Sequence, residues 1–298
     1  MAPEAGRSAS AGILYVVATP IGNPEDLSPR AERTLREADL IAAEDTRTTG
    51  RLLARLGFRK PMLSFHDHNE AQRTTGILRR LGEGTNVALV SEAGTPLISD
   101  PGFRLVRAAA AAGFRIAAVP GPSAAIAALS ISGLPTDRFL VLGFLPRRAA
   151  RRRAALHELR REPATQVLFE APHRILATLE DLRDILGDRD AVLARNLTKE
   201  HESVLRGKLS ELHAALAALE LVAGEITLVL AGAADDDRDE WPEAAERAVE
   251  RLLAEGLAPS RVQGIVGHVF ELDRRDVYRR ILQAVRVREG GRHPDGED

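Results

Sequence analysis

Cysteine is absent from all 298 residues, which excludes disulfides and thiolate metal sites and fits a reducing compartment. Lysine is scarce, while alanine and arginine abound. Charge of neither sign dominates: 41 basic against 43 acidic residues leave a formal net charge of −2, so the distribution of charge rather than its total bears on a nucleic-acid partner. No apolar run is long enough to span a membrane. The Ala-rich stretch from Leu105 to Leu134 comes nearest, and Arg107, Gly113, Arg115, Pro120 and Pro122 interrupt it. No segment reads as a signal peptide, and a cytoplasmic protein is expected. The familiar nucleotide signatures are missing as well. No Gly-x-Gly-x-x-Gly follows the first apolar run and no Gly-Lys-Ser/Thr phosphate loop occurs, which argues against a common dinucleotide site or a nucleoside triphosphatase.

What is present is a repeated grammar of short apolar run followed by a Gly/Pro break. Val87 to Val90 runs into Ser91-Glu92-Ala93-Gly94-Thr95-Pro96-Leu97-Ile98-Ser99-Asp100-Pro101-Gly102. Ile13 to Ala18 runs into Thr19-Pro20-Ile21-Gly22-Asn23-Pro24, and Arg115 to Val119 into Pro120-Gly121-Pro122-Ser123-Ala124. Such loops expose main-chain groups to a ligand, because glycine puts no side chain in the way. Open α/β sheets place ligands at the carboxyl ends of their strands, so these breaks read as three walls of one pocket. The plain alternative is that they are only tight turns.

Further strands are expected at Leu40–Ala43 and Met62–Phe65, with helices from Pro29, through Leu56, over 70–81 and over 102–112. Strands alternating with helices imply a mostly parallel sheet over 13–137. A second unit over 138–234 starts with Phe139 to Phe144. It continues with strands near Gln166–Phe169, Ala191–Asn196, Val204 and Glu225–Leu230, and helices reaching Arg161, over 173–186 and over 209–219. An acidic linker, 235–240, precedes helical periods within 241–289. Disorder is expected at 1–12 and 290–298.

Several blocks together resemble one family. They are Leu14 to Asn23, Ala43-Glu44-Asp45-Thr46-Arg47, Ser64 to Glu70, Ser91 to Pro96, Pro120 to Ala124, Phe169-Glu170-Ala171-Pro172-His173-Arg174, Leu197 to Glu202 and Gly224-Glu225-Ile226. In order and without a gap they are similar to the RsmI family, the 16S rRNA (cytidine-2′-O)-methyltransferases of the tetrapyrrole-methylase-like superfamily. The resemblance implies a two-domain α/β fold with a mostly parallel N-terminal sheet, a mixed C-terminal sheet and a small helical tail. It also implies S-adenosyl-L-methionine as methyl donor, 16S rRNA in the 30S subunit as substrate, and a homodimer. By position, the donor cleft would take Thr19, Pro20, Ile21, Gly94, Thr95, Pro96, Ile98, Ser123 and Ala124 from the first domain. Phe169, Glu170, Glu225 and Ile226 would close it from the second. Thr95 stands where porphyrin-modifying relatives carry the aspartate of Gly-Asp-Pro, a difference that favours the ribosomal-RNA branch. The family's tail has a glycine before Leu272, where this chain has Glu271.

Arg147, Arg148, Arg151, Arg152 and Arg153 form a local positive cluster in a nearly neutral chain. Clustered arginines neutralise phosphates and make binding salt-dependent, so they are candidate RNA contacts; the alternative is a solvated helix face. Methyl transfer to a ribose 2′-oxygen needs alignment and the removal of a weakly acidic proton. Candidate groups are Lys199, Glu170 and His66, with His68, His173 and His201 as further possibilities. His66-x-His68 is a weak metal signal without thiolate partners, and no metal is expected. The rivals are a tetrapyrrole-directed methylase and a non-catalytic RNA-binding assembly factor.

Overall fold

The computed structural model describes residues 11–290 except 220, 235–241, 271 and 273. The expectations for the N-terminal ten residues, the acidic linker, Glu271 and the last eight residues lie outside that range. The chain divides into two compact units, Met1–Ala233 and Ala234–Asp298.

The first unit holds two five-stranded sheets. One is wholly parallel, in the order β3 (Met62–Ser64), β2 (Leu40–Ala43), β4 (Val87–Val90), β1 (Ile13–Val17), β5 (Arg115–Val119). Parallel strands covered on both faces read as unbroken apolar runs, and every residue of β2 and β4 is buried. Leu14, Leu89 and Phe65 fill the core on one face with Ile77 and Leu81; Val17, Ile41 and Val90 fill the other with Leu35 and Leu53. Local chemistry sets the helix starts. For α1 (Pro29–Glu37), the Ser28 hydroxyl accepts the Ala31 N–H and Pro29 takes the first helical position. For α2 (Thr46–Arg55), the Asp45 carboxylate accepts the N–H groups of Arg47 and Thr48. The Arg47 side chain adds a further hydrogen bond and holds the Asp45 pKa down at about 2. The next helices are α3 (Glu70–Gly82) and α4 (Phe103–Ala111).

One helix departs from expectation. The Ala-rich stretch after β5, not assigned an element from the sequence, forms α5 (Ala124–Ser132), ended by Gly133 in the left-handed region. Its Ala125, Ala128 and Leu129 pack on Val167, Val192 and Val229 of the second sheet. A helix apolar on nearly all sides lacks the amphipathic period by which helices are recognised.

The second sheet runs β6 (Phe139–Phe144), β7 (Thr165–Glu170), β10 (Ile226–Leu230), β8 (Asp190–Arg195), β9 (Ser203–Lys208), with only β6 and β7 parallel. Strand alternation puts Leu168, Leu193 and Leu228 on the face opposite the valines. There they pack under α6 (Ala149–Glu158), α7 (Ile175–Leu186) and α8 (Leu209–Ala217).

The second unit contains α9 (Glu243–Ala254), α10 (Pro259–Val269) and α11 (Arg274–Gly290) around Ala245, Val249, Val262, Val266, Val277 and Ile281. Among the described residues no helix is long and apolar enough to cross a membrane.

Candidate active site

The chain leaves β1 and β4 side by side, and the two loops are tied at once. Thr19 N–H donates to the Gly94 carbonyl at 2.8 Å and Gly94 N–H to the Thr19 carbonyl at 3.0 Å. Gly94 sits at φ +82°, where a side chain is strained, and a Cβ there would stand 3.3 Å from Ile21 Cγ2. The third loop joins through the Thr95 hydroxyl, which donates to the Pro122 carbonyl at 3.0 Å.

These loops wall a cavity of about 370 Å³, closed on its far side by the ends of β6 and β7 and the start of β10. Of the residues expected to hold a methyl donor, all but Thr19, Pro20 and Pro96 line it. Phe144 and Phe169, whose ring centres are 5.6 Å apart, give it an apolar wall that the sequence reading supplied only through Phe169. A pocket of this size, apolar with a few placed polar groups, suits a small organic ligand. Thr19 and Pro20 instead line a second cavity of about 370 Å³, together with Thr48, Arg51 and Arg55 of α2 and Ser91 and Glu92.

The parallel sheet and the mixed sheet are locked together beside the cavity. Asn23 N–H donates to the Thr198 hydroxyl at 3.0 Å. Gly22 lies so close to this loop that a Cβ would fall 2.5 Å from Lys199 Cγ and 2.9 Å from the Leu197 carbonyl. The Ile21-Gly22-Asn23 and Leu197-Thr198-Lys199 blocks, far apart in sequence, are thus two sides of one contact.

The candidate proton-handling residues meet different fates. Glu170 lines the cavity but is only 2 % exposed. Its carboxylate accepts from Ala171 N–H at 2.8 Å and from the Thr178 hydroxyl at 2.6 Å, and lies 3.4 Å from the Arg174 guanidinium. That carboxylate is a structural hub. Lys199 Nζ holds Glu225 Oε1 at 2.5 Å, steadying a cavity-lining carboxylate. His66 does not line the cavity; its Nε2 lies 3.0 Å from Asn69 Nδ2 and its ring meets that of His68 edge-on at 5.9 Å. His68, His173 and His201 do not line it either.

Asp100 does line it, although in the sequence it is only one polar residue in the break after β4. Its corner is rigidly held. Glu70 Oε1 accepts the N–H groups of Gly102 at 3.1 Å and Arg104 at 2.9 Å, and Leu97 and Ser99 take left-handed φ values of 74° and 68°. Burial pushes the Asp100 carboxyl up to about 7, and Glu44 adds to this, with smaller contributions from Asp67 and Glu92; the Ser91 hydroxyl opposes them.

The arginine cluster divides. Arg152, 6 % exposed, pairs with Asp181 at 2.7 Å, and Arg153 with Asp181 at 2.6 Å, so α6 is pinned to α7. Arg147, Arg148 and Arg151 are exposed, in the turn that leaves Phe144 and on the first turn of α6. Among the described residues no group of three His, Asp or Glu side chains could hold a metal ion.

Comparison with known proteins agrees with this geometry. Residues 13–213 match the model of the tetrapyrrole (corrin/porphyrin) methylases. A ribosomal RNA small subunit methyltransferase I of Micromonospora olivasterospora is 48 % identical over 276 residues, 93 % of this chain and 88 % of that one. A protein of the same name from Xylella fastidiosa (strain Temecula1) is 49 % identical over 269 residues, 90 % of this chain and 98 % of that one. Among solved structures, a uroporphyrin-III-C-methyltransferase from Thermus thermophilus superposes with a TM-score of 0.53 at 25 % identity, over 73 % of this chain and 94 % of that one.

Proposed function

We propose a function that proceeds from one premise: the chain belongs to the tetrapyrrole (corrin/porphyrin) methylases and, among them, to the ribosomal RNA small subunit methyltransferase I family. It is an S-adenosylmethionine-dependent methyltransferase that acts on the 2′-oxygen of a cytidine ribose in 16S rRNA. The observation that carries this reading is a cavity walled by the loops after β1, β4 and β5 together and closed by β7 and β10.

The residues present fit the donor. Ile21, Ile98 and Phe169 offer apolar surface to a base, and the turns at Gly94–Thr95 and Ser123–Ala124 bring main-chain groups to the wall. Glu225, steadied by Lys199, places a carboxylate for polar or cationic groups of the donor. When bound, the donor supplies a methyl already activated on a sulfonium, so positioning dominates the enzyme's task, a contribution of about 7–11 kcal/mol when alignment is right.

In this reading residues 13–137 and 138–234 are the two domains, with 241–289 as a helical appendage. RNA approaches along Arg147, Arg148 and Arg151, whose exposure next to Phe144 puts positive charge beside the cavity. The enzyme works in the cytoplasm on assembled 30S subunits, as a homodimer. β6 supports the last point: it ends its sheet and leaves Phe139, Leu140 and Val141 exposed. The test is methyl transfer from labelled donor to 30S subunits, free 16S rRNA and a porphyrin in parallel. Incorporation into 30S subunits at a cytidine 2′-oxygen is expected; incorporation into the porphyrin alone would refute the reading.

A further inference from the structure

The two loops bridged by Thr19 and Gly94 also wall the second cavity of about 370 Å³, which shares no lining residue with the donor cavity. Helix α2 supplies its other wall. Of the arginines on that helix, Arg47 is held by the Asp45 carboxylate at 3.0 Å. Arg51 and Arg55, one turn apart and so neighbours on one face, line the cavity and are exposed. Neither makes an ion pair among the described residues; Arg51 donates to the Thr48 hydroxyl at 3.3 Å. On the loop after β4, Glu92 brings a carboxylate that is also without an ion pair among the described residues. Its main chain is anchored, because its N–H donates to Glu44 Oε2 at 3.1 Å. Pro20, Pro24 and Leu52 add apolar surface.

A basic wall, an acidic wall and an apolar lining match the parts of one nucleotide. Guanidinium groups of fixed charge suit phosphate oxygens. A carboxylate repels phosphate, but it accepts a hydrogen bond from the exocyclic amino group of cytosine, which uracil lacks. Apolar side chains and guanidinium planes suit the face of an unstacked base, the form in which single-stranded RNA is read. We propose that this second cavity receives the cytidine to be methylated, with Arg51 and Arg55 on phosphates of its strand and Glu92 accepting from its N4 amino group. The proposal rests on the functional reading above and supplies what that reading lacks, a place for the substrate base outside the donor cavity. The Thr19–Gly94 bridge stands between the two cavities. A base on one side and a methyl donor on the other bring the ribose to that bridge, where its 2′-oxygen is aligned for transfer. The same pair of loops thereby sets both partners of the reaction.

The experiment uses the full-length chain and 30S subunits reconstituted with cytidine or uridine at the methylated position. Transfer at low subunit concentration gives kcat/KM, filter binding through a salt titration gives RNA affinity, and calorimetry gives donor Kd. The double variant Arg51→Ala/Arg55→Ala is expected to lose about tenfold or more in kcat/KM, with a salt slope shallower by about 1.4, at ~0.7 per phosphate of a single strand. Arg51→Lys/Arg55→Lys, which keeps the charge, should keep the slope. Donor Kd should stay within about threefold in each, since exposed substitutions leave stability nearly untouched, and this also shows that the variants are folded. Wild type should prefer cytidine to uridine subunits by about tenfold or more. Glu92→Gln should erase most of that preference, because its amide donates to a uracil oxygen as readily as it accepts from a cytosine amine. An unchanged salt slope in the double alanine variant, or a cytidine preference that Glu92→Gln leaves intact, overturns the subsite. Either result alongside active wild type strikes the subsite alone. If wild type transfers nothing to cytidine subunits, the functional reading fails and the subsite with it.

Discussion

Thr19 and Gly94 exchange two main-chain hydrogen bonds, 2.8 and 3.0 Å long, and that small bridge stands between two cavities. On one side Ile21, Gly94 and Thr95 face the proposed donor site; on the other Thr19 and Pro20 face α2 and its arginines. Both loops leave neighbouring parallel strands, so the bridge follows from the strand order. Gly94→Ala would force a side chain into the left-handed region against Ile21. Thermal or denaturant unfolding should show a loss of about 1–2 kcal/mol, and calorimetry a donor affinity at least tenfold weaker.

The arginine cluster should separate into two phenotypes. Arg152→Ala leaves Asp181 with Arg153 alone in a buried setting, and a loss of about 3–5 kcal/mol is expected in denaturant unfolding. Arg147→Ala, Arg148→Ala and Arg151→Ala, all exposed, should stay within about 0.5 kcal/mol of wild type. Each phosphate contact among them that is lost should reduce the salt slope of RNA binding by about one while donor affinity holds.

Stability should carry the signature of Asp100. Its folded pKa, about 7, lies above the unfolded value of 3.8, so between these the native state binds the extra proton. Its contribution is full below the unfolded value and is lost as pH rises through about 7. Asp100→Asn removes that loss. Measured by urea unfolding, its stability relative to wild type should grow between pH 4 and 7 and then level off, by about 1–2 kcal/mol once solvent access to the half-exposed group is discounted. A difference independent of pH would argue against the raised pKa.

Gly22→Ala tests the lock beside the cavity. A methyl 2.5 Å from Lys199 Cγ and 2.9 Å from a main-chain oxygen has to displace the Thr198–Lys199 loop. Overpacking of this kind costs about 1–3 kcal/mol. Because Lys199 also steadies Glu225, donor affinity should fall with stability, which titration calorimetry on the folded variant will show.

Most of the scaffold was legible because its strands are short apolar runs that lead into loops carrying glycine and proline, as after Val87–Val90 and Arg115–Val119. The start of α1 at Pro29 was legible for a local reason too, since the fixed φ of proline suits the first helical position. α5 was not, since an Ala-rich helix pressed against a second sheet shows no polar face to alternate with. The wall of the cavity could be anticipated loop by loop, but not the division that sends Thr19 and Pro20 to one side and Ile21 to the other. That division depends on the pairing of residues 75 positions apart. The burial of Arg152 was hidden by its neighbours, because one turn of α6 presents both a buried arginine and exposed ones. Asp100 was hidden most completely: its environment is made by Glu44, Asp67 and Glu92 converging from the ends of three strands, which no local pattern records.

The most direct measurement of the central claim is transfer of a labelled methyl group from S-adenosylmethionine to 30S subunits, with the modified nucleotide isolated from 16S rRNA. The account predicts label in a 2′-O-methylcytidine, abolished when the donor cavity is blocked by a bulky substitution at Gly94. Label on a base, label only on a tetrapyrrole, or undiminished transfer by the blocked variant would contradict it.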